Sequence, residues 1–444
     1  MKKYHLFFPN RDELLKAGHK DAIGVPVIFC ENWVYQTLPN NYLHARKNKQ
    51  LQQKKTKHLF LPKFPTDISM RDFGYSLVNF LEWLEATNRN WRTLEYERDI
   101  LSGYQDDMLS GNWSMDGESL SPSTINGRVS EACLYLEFGA SLGLRDEFFV
   151  PTQNVNVPRR SSTNTSGVKN ISLKVRKGAV KENPTNLRMP TDKEFNDWIS
   201  GIRIRSGLTK TLMCRVVCES AVRREECVQW RVDTLPLNPN DWKVIGNSVE
   251  VVIMHGAKGA KTPYKGGELI GPPRAIWIPI QLAKDIHEYR TYTRNAHIAK
   301  RLRELGPVEK KKAMKNPPQR LFISEYTGQP ISAQRFYDAW KNSALPFTGW
   351  TVHMGRHYWA CKLILNKCTP KIRTTSSSGP LDSHRIYAED QGIITATATD
   401  VINTLIRPQL GHLSEKTSFR YVQWAVRVII VEDMSLLYES SLEN

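Results

Sequence analysis

The sequence predicts a mainly α fold with one small β-sheet, divided between a helical N-terminal domain and a larger α+β C-terminal domain. Three observations carry this prediction. Apolar residues recur at helical spacing over two separated regions, a polar and basic stretch lies between them, and a single pair of short segments reads as strands. At 444 residues the chain exceeds what one ordinary core supports, and about 150 residues per domain points to two or three domains.

Residues 1–63 hold few periodic signals and are expected to form a basic N-terminal extension; the stretch from His44 to Lys63 contains no acid. Residues 64–150 read as a compact helical domain. "DFGYSLVNFLEWLEATN" sets Tyr75, Val78, Phe80, Leu81 and Leu84 at helical spacing, and "LEYERDILSGYQDDML" is amphipathic. "SPSTINGRVSEACLYLEFGASLGL" opens on Ser121 or Ser123 as an N-cap. Residues 151–188 show no stable apolar period and carry Arg159, Arg160, Lys174, Arg176 and Lys177, so they are expected to be a basic linker that buries too little surface to order itself.

Residues 189–444 form the expected second domain. Thr191 and Glu194 have the spacing of a capping box at the start of a helix that continues through "LTKTLMCRVVCES". Residues 249–254 ("VEVVIM") and 275–280 ("AIWIPI") read as a hairpin with a long tip, "HGAKGAKTPYKGGELIGPPR". Helices are expected again over "LAKDIHEYRTYTRN", "SAQRFYDAWKNSA", the segment opened by "HMGRHYWA", and "SFRYVQWAVRVIIV". The seven cysteines contain no CxxC, and Cys214 with Cys218 at i, i+4 read as buried reduced thiols.

Net charge is +17, clustered in three runs: 44–63, 151–190 and 300–320. Such clustering points to a polyanionic partner, nucleic acid being the commonest, against the plainer reading of solubilising surface charge. The chain has no apolar run long enough to span a membrane, and its first residues turn polar too early for a signal peptide. A cytoplasmic location without membrane partners is therefore expected.

Four separated places combine into one constellation. "SAVRREECVQW" sets Arg223 and Glu226 at i, i+3, and the hairpin tip offers Lys258 and Lys261. "HMGRHYWA" offers His353, Arg356 and His357, and "LGHLSEKTSFRY" offers His412 and, nine positions later, Tyr421. Each piece alone has a plainer explanation: a surface ion pair, solvated lysines, a satisfied buried histidine, a core tyrosine. Their order and spacing resemble the tyrosine recombinase (phage integrase) family, from about Met70 to the end of the chain.

The resemblance implies a two-domain DNA clamp: a helical core-binding domain at 64–150 and a tyrosine-recombinase catalytic domain at 189–444. It also implies a set of roles. Tyr421 is the nucleophile that takes a DNA phosphoryl group as a phosphotyrosine ester. Arg223 and Arg356 clamp the non-bridging phosphate oxygens with donors that stay protonated at neutral pH. Lys258, with Lys261 as runner-up, protonates the departing 5′-oxygen. His353 takes or orients the nucleophile's proton, His412 hydrogen-bonds a phosphate oxygen, His357 supports the site, and Glu226 orients Arg223. Arg224 competes with Arg223 for the clamp, and the spacing to Glu226 favours Arg223. Neither metal nor other cofactor is implied.

The implied partners are double-stranded DNA, further copies of the chain in a tetramer on two DNA sites, and accessory DNA-bending proteins, with the bound protein nucleoid-associated. Linker residues Arg159, Arg160, Lys174, Arg176 and Lys177 are expected to touch the DNA backbone. One departure stands out: residues 357–411 separate Arg356 from His412, more than twice the family's usual spacing, and the surplus at 369–408 includes a Ser/Thr/Gly-rich stretch expected to be a surface loop. Trp424, Val428 and Ile429 in the tail are expected either to dock on a neighbouring protomer or to fold back on their own domain. The alternatives are strand relaxation of the type IB topoisomerase kind and a DNA-binding architectural protein without catalysis.

Overall fold

The computed structural model describes residues 3–48, 65–160, 168–181, 187–259, 262–264, 268–375, 395–411, 420–425 and 427–428, with the backbone alone at 155–160, 168–174 and 369–375. The chain is mainly α with small antiparallel sheets. It forms two compact units, Met1–Thr185 and Asn186–Asn444.

In the first unit, helix Asp67–Ala86 begins at Thr66, whose hydroxyl oxygen accepts the Ser69 N–H at 3.2 Å. Helix Pro122–Ser141 begins at Ser121, which accepts the Thr124 N–H, with proline at the first helical position where no N–H is needed. Between them the segment Tyr96–Gln105 is wound as a π-helix. Phe80, Trp83, Tyr104 and Tyr135 meet in the core, each burying a large apolar area that drives the unit's assembly. Tyr75 leaves the expected apolar stripe and is 53% exposed, its ring beside Phe8.

Residues 3–48 are not a separate extension; 49–63, the rest of that expected segment, lie outside the described residues. Strands Tyr4–Phe7 and Val27–Cys30 pair antiparallel, and Val25, Ile28, Tyr42 and Leu43 belong to the same core as the two long helices. The Asn40 amide accepts the Ile28 N–H at 2.7 Å and donates to its carbonyl at 2.9 Å, standing in for a neighbouring strand. These strands are four residues long, too short to show a period in the sequence.

The expected linker also differs. Thr152–Arg160 and Val168–Arg176 pair antiparallel, with Val155 opposite Leu173 and Val157 opposite Ile171. The alternation Val155, Val157 against Ile171, Leu173, Val175 has period two, and main-chain pairing satisfies a segment that has no helical period.

In the second unit, Thr191 and Glu194 close the predicted capping box at the start of Asp192–Ser220. That helix breaks at Gly207, and its second half buries Leu212, Met213, Cys214, Val216, Val217 and Cys218. The predicted hairpin is Ser248–Ile253 with Arg274–Pro279, joined at its edge by Val244–Ile245. Val249, Val251, Ile276 and Ile278 face this core, where Trp198, Trp340 and Trp350 also meet. A second core forms where Val352–Thr375 carries Ala360, Cys361 and Ile364 against Ala398, Ile402, Ile406, Leu410 and Tyr421. Residues 395–410 are helical, so the C-terminal part of the 369–408 insertion is packed structure rather than surface loop; 376–394 lie outside the described residues. Among the described residues no helix is long and apolar enough to cross a membrane.

Candidate active site

The site is assembled where the helix Asp192–Ser220 ends. Ala221 takes a left-handed conformation (φ 57°) with its N–H returned to the Val217 carbonyl, and the chain turns to start the short helix Arg224–Val228. Arg223 stands just before that helix and Glu226 at its third position. The Glu226 carboxylate therefore reaches back to accept the Arg223 N–H (2.7 Å) and its Nη1 (2.9 Å). Arg224 turns the other way, its guanidinium over the Tyr337 ring at 5.8 Å, which leaves Arg223 as the inward arginine.

A third arginine, with no signal in the sequence, completes this arrangement. Arg274, first residue of the strand Arg274–Pro279, places Nη1 at 2.5 Å and Nη2 at 2.7 Å from the two Glu226 oxygens. Arg356, one turn into the helix Val352–Thr375, approaches the same carboxylate at 3.9 Å. Burial would raise the Glu226 pKa, but Arg274 and Arg223 outweigh it and hold the carboxyl at about 2.

Three guanidiniums around one carboxylate leave positive charge uncompensated. Carbonyl oxygens at the end of the short helix Arg407–Leu410 take part of it. Leu410 O accepts from Arg223 Nη2 (3.0 Å) and Arg356 Nη2 (2.9 Å), Gly411 O from Arg223 (3.3 Å), and Gln409 O from Arg274 Nε (3.2 Å). These are the carbonyls a helix end leaves unpaired, at the negative end of its dipole. Gly411 takes φ +62°, which ends the helix. The Gln409 amide ties this end to the rest of the unit by donating to Ser220 O and Trp277 O and accepting the Trp277 N–H. Arg356 is 3% exposed, and its Nη1 has no hydrogen-bond partner among the described residues. Burial, then the Arg223 charge, pulls its pKa down to about 9 against the pull of Glu226. A buried guanidinium in that condition is one that an added anion stabilises.

Tyr421 lies wholly buried beside this cluster. Its hydroxyl is 2.6 Å from His357 Nδ1, and the His353 ring meets the His357 ring edge-on at 4.5 Å. Burial holds the phenol well above its ordinary pKa, with Arg356 and Arg420 pulling the other way. His353 is exposed at the surface of the site; partial burial and the charges of Arg356, Arg420 and Arg223 lower its pKa. The histidine in contact with the phenol is thus His357, not His353.

Lys258 sits on a tight turn that follows the strand Ser248–Ile253. Gly256 in this turn has φ +71°, and a Cβ there would fall 2.6 Å from the Glu225 carbonyl, so the turn lies directly on the start of Arg224–Val228. Lys258 is exposed and makes no ion pair or hydrogen bond with the described residues. Lys261 and His412 lie outside the described residues, as do the side chains of Arg159, Arg160 and Lys174. Arg176 is spent within the first unit, donating to Tyr96 Oη (2.8 Å), Gln105 Oε1 (2.9 Å) and Asn126 Oδ1 (3.2 Å), while Lys177 is exposed and 3.7 Å from Glu97. Trp424 packs on its own unit's second core; Ile429 lies outside the described residues.

No protein-family model matches this chain, and no curated protein matches it. Solved structures similar to it include a recombinase and an integrase. One is a crystal structure of XerA recombinase, 13% identical, covering 89% of this chain and 98% of that one, with a TM-score of 0.30. Another is the Tn1549 transposon integrase in complex with circular intermediate DNA, 12% identical, covering 86% and 94%, TM-score 0.41. The same integrase with transposon right end DNA is 12% identical, covering 87% and 98%, TM-score 0.40.

Proposed function

We propose that the chain is a site-specific DNA recombinase or integrase of the tyrosine type, serving integration or excision of a mobile element. The observation that carries this is a partly buried cationic cluster, Arg223, Arg274 and Arg356 around the single buried carboxylate of Glu226, placed beside a phenol already hydrogen-bonded to an imidazole. The motif resemblance supplies the reaction, and these residues supply its parts.

In that reaction the Tyr421 oxygen attacks a DNA phosphorus and the bond from phosphorus to the 5′-oxygen breaks. The electron pair leaves on the 5′-oxygen, which takes a proton from Lys258 or Lys261. The phenol's proton passes to His357, with His353 next in line. Arg223 and Arg356 stabilise charge on the non-bridging oxygens, and His412 is the expected further donor. The 3′-phosphotyrosine keeps the energy of the broken bond, so a 5′-hydroxyl from another strand reverses the step. The partners are double-stranded DNA and further copies of the chain, four on two sites, with accessory DNA-bending proteins, in the cytoplasm on the nucleoid. Since the phenol is sealed from solvent, its helix has to shift before it reaches a backbone phosphate.

The test uses duplexes nicked just 3′ of candidate cleavage positions, which trap the covalent intermediate. An SDS-resistant protein–DNA band in the wild type, absent in Tyr421→Phe, is the expected result. Equal bands in both proteins remove Tyr421 as the nucleophile. The complete burial of Tyr421 favours one second reading, an architectural DNA-binding protein; salt-sensitive binding with no band from any nicked substrate decides for it.

A further inference from the structure

We propose that Arg274 is a positioning residue for the phosphate-binding pair, setting Arg223 and Arg356 through Glu226 and through the turn at Gln409–Gly411. The proposal rests on the recombinase reading. Arg274, Ile276 and Ile278 alternate along one strand and face inward, and Arg274 is the charged member of that row. A cation at such a position needs strong partners, and it has them. Its Nη1 and Nη2 take both oxygens of Glu226, and its Nε takes Gln409 O.

Those are the two supports on which the other arginines rest. Glu226 orients Arg223 through side chain and backbone and faces Arg356; Leu410 O, the next carbonyl after Gln409 O, accepts from both. Arg274 therefore makes no hydrogen bond to Tyr421 or to Arg356, whose Nη1 lacks a hydrogen-bond partner among the described residues, yet it holds both anchors of the pair. A lysine would supply the charge without the paired donors, so arginine is the residue the geometry requires. Among the described residues the charges facing Glu226 are Arg223 from its own helix start, Arg274 from the strand and Arg356 from the histidine-bearing helix. Removing Arg274 takes away the strongest force keeping this buried carboxyl ionised.

The experiment measures single-turnover adduct formation on a nicked duplex between pH 6 and 8 for the full chain, Arg274→Gln and Arg274→Lys, with DNA affinity and thermal unfolding measured alongside. Arg274→Gln is expected to slow adduct formation about 10- to 100-fold, the scale on which partners that orient reactive groups act, while DNA affinity is kept. The deficit relative to wild type widens toward pH 6, a comparison that cancels ionisations common to both proteins. Arg274→Lys, the variant to rely on if Arg274→Gln misfolds, restores the pH profile but only part of the rate. In a Glu226→Gln background, Arg274→Gln adds little further loss. Wild-type rates in both Arg274 variants, or an undiminished further loss in the Glu226→Gln background, overturn the proposal while leaving the recombinase reading standing. No adduct from the wild type removes that reading, and this one with it.

Discussion

His357 Nδ1 and the Tyr421 hydroxyl lie 2.6 Å apart in a core that excludes solvent, joining the helix Val352–Thr375 to the segment that carries the candidate nucleophile. A phenol stays protonated near neutral pH and burial raises this one's pKa further, so in the proposed reaction it gives up its proton as it attacks, and His357 is the group in place to accept it.

Replacing His357 by alanine should leave the buried hydroxyl unpaired and cost about 1–3 kcal/mol of stability. Cleavage should fall by about 10²–10⁴. His353→Ala, at an exposed position, should change stability by no more than about 0.5 kcal/mol. Denaturant unfolding and adduct rates for the two variants decide between them. A larger cleavage defect in His353→Ala would return the role of proton acceptor to His353.

Glu226 should make the protein acid-sensitive. Its folded-state pKa of about 2 lies below the usual carboxylate value, so its stabilising contribution is complete above that usual value and is lost as pH falls toward about 2. A depression of this size corresponds to about 3 kcal/mol. Unfolding measured from pH 6 down to pH 2.5 should show wild type losing this contribution while Glu226→Gln, with nothing to titrate there, does not. Parallel curves would contradict the assignment.

The two hairpin lysines can be separated by leaving-group chemistry. A 5′-bridging sulfur departs as a thiolate that needs no proton, so it should rescue cleavage by a variant lacking the general acid and no other. Lys258→Ala is expected to be rescued and Lys261→Ala is not, because the turn leading into Lys258 is held at Gly256 against the start of Arg224–Val228. Gly256→Ala should reproduce the Lys258→Ala defect, with a stability loss of about 1–3 kcal/mol from the left-handed backbone. Rescue of Lys261→Ala alone would reverse the assignment.

Arg176 should behave as a structural residue. Its guanidinium is engaged by Tyr96, Gln105 and Asn126, so Arg176→Ala is expected to destabilise the first unit by about 1–3 kcal/mol. DNA affinity, measured as a function of salt, should keep its slope. A slope reduced by about one unit would mean a phosphate contact at this residue.

Much of this molecule was legible before any tertiary contact. Helical spacing marked Asp67–Ala86, Pro122–Ser141 and the capping box at Thr191, because caps and amphipathic faces are local physics. The strands Tyr4–Phe7 and Val27–Cys30 were not, since four residues carry no period and their partner lies about twenty residues away. The hairpin from Thr152 to Arg176 does not stand out in the sequence, because its short period-two alternation lies within a strongly basic composition. The helix at 395–410 was hidden behind the Ser/Thr/Gly-rich stretch before it, although its apolar residues complete the core around Tyr421.

At the site, sequence alone determined the residue types, their order, and the i, i+3 pairing of Arg223 with Glu226, which a single helical turn enforces. It did not identify Arg274, whose contact with Glu226 spans 48 positions and exists only because a strand and a helix start are packed together. The family resemblance assigns the nucleophile's proton to His353 and a supporting role to His357, whereas the histidine in contact with the phenol is His357. Four residues apart, they lie on one helix face with equal local claims, and only the long-range packing of Tyr421 onto one of them decides which imidazole meets the phenol.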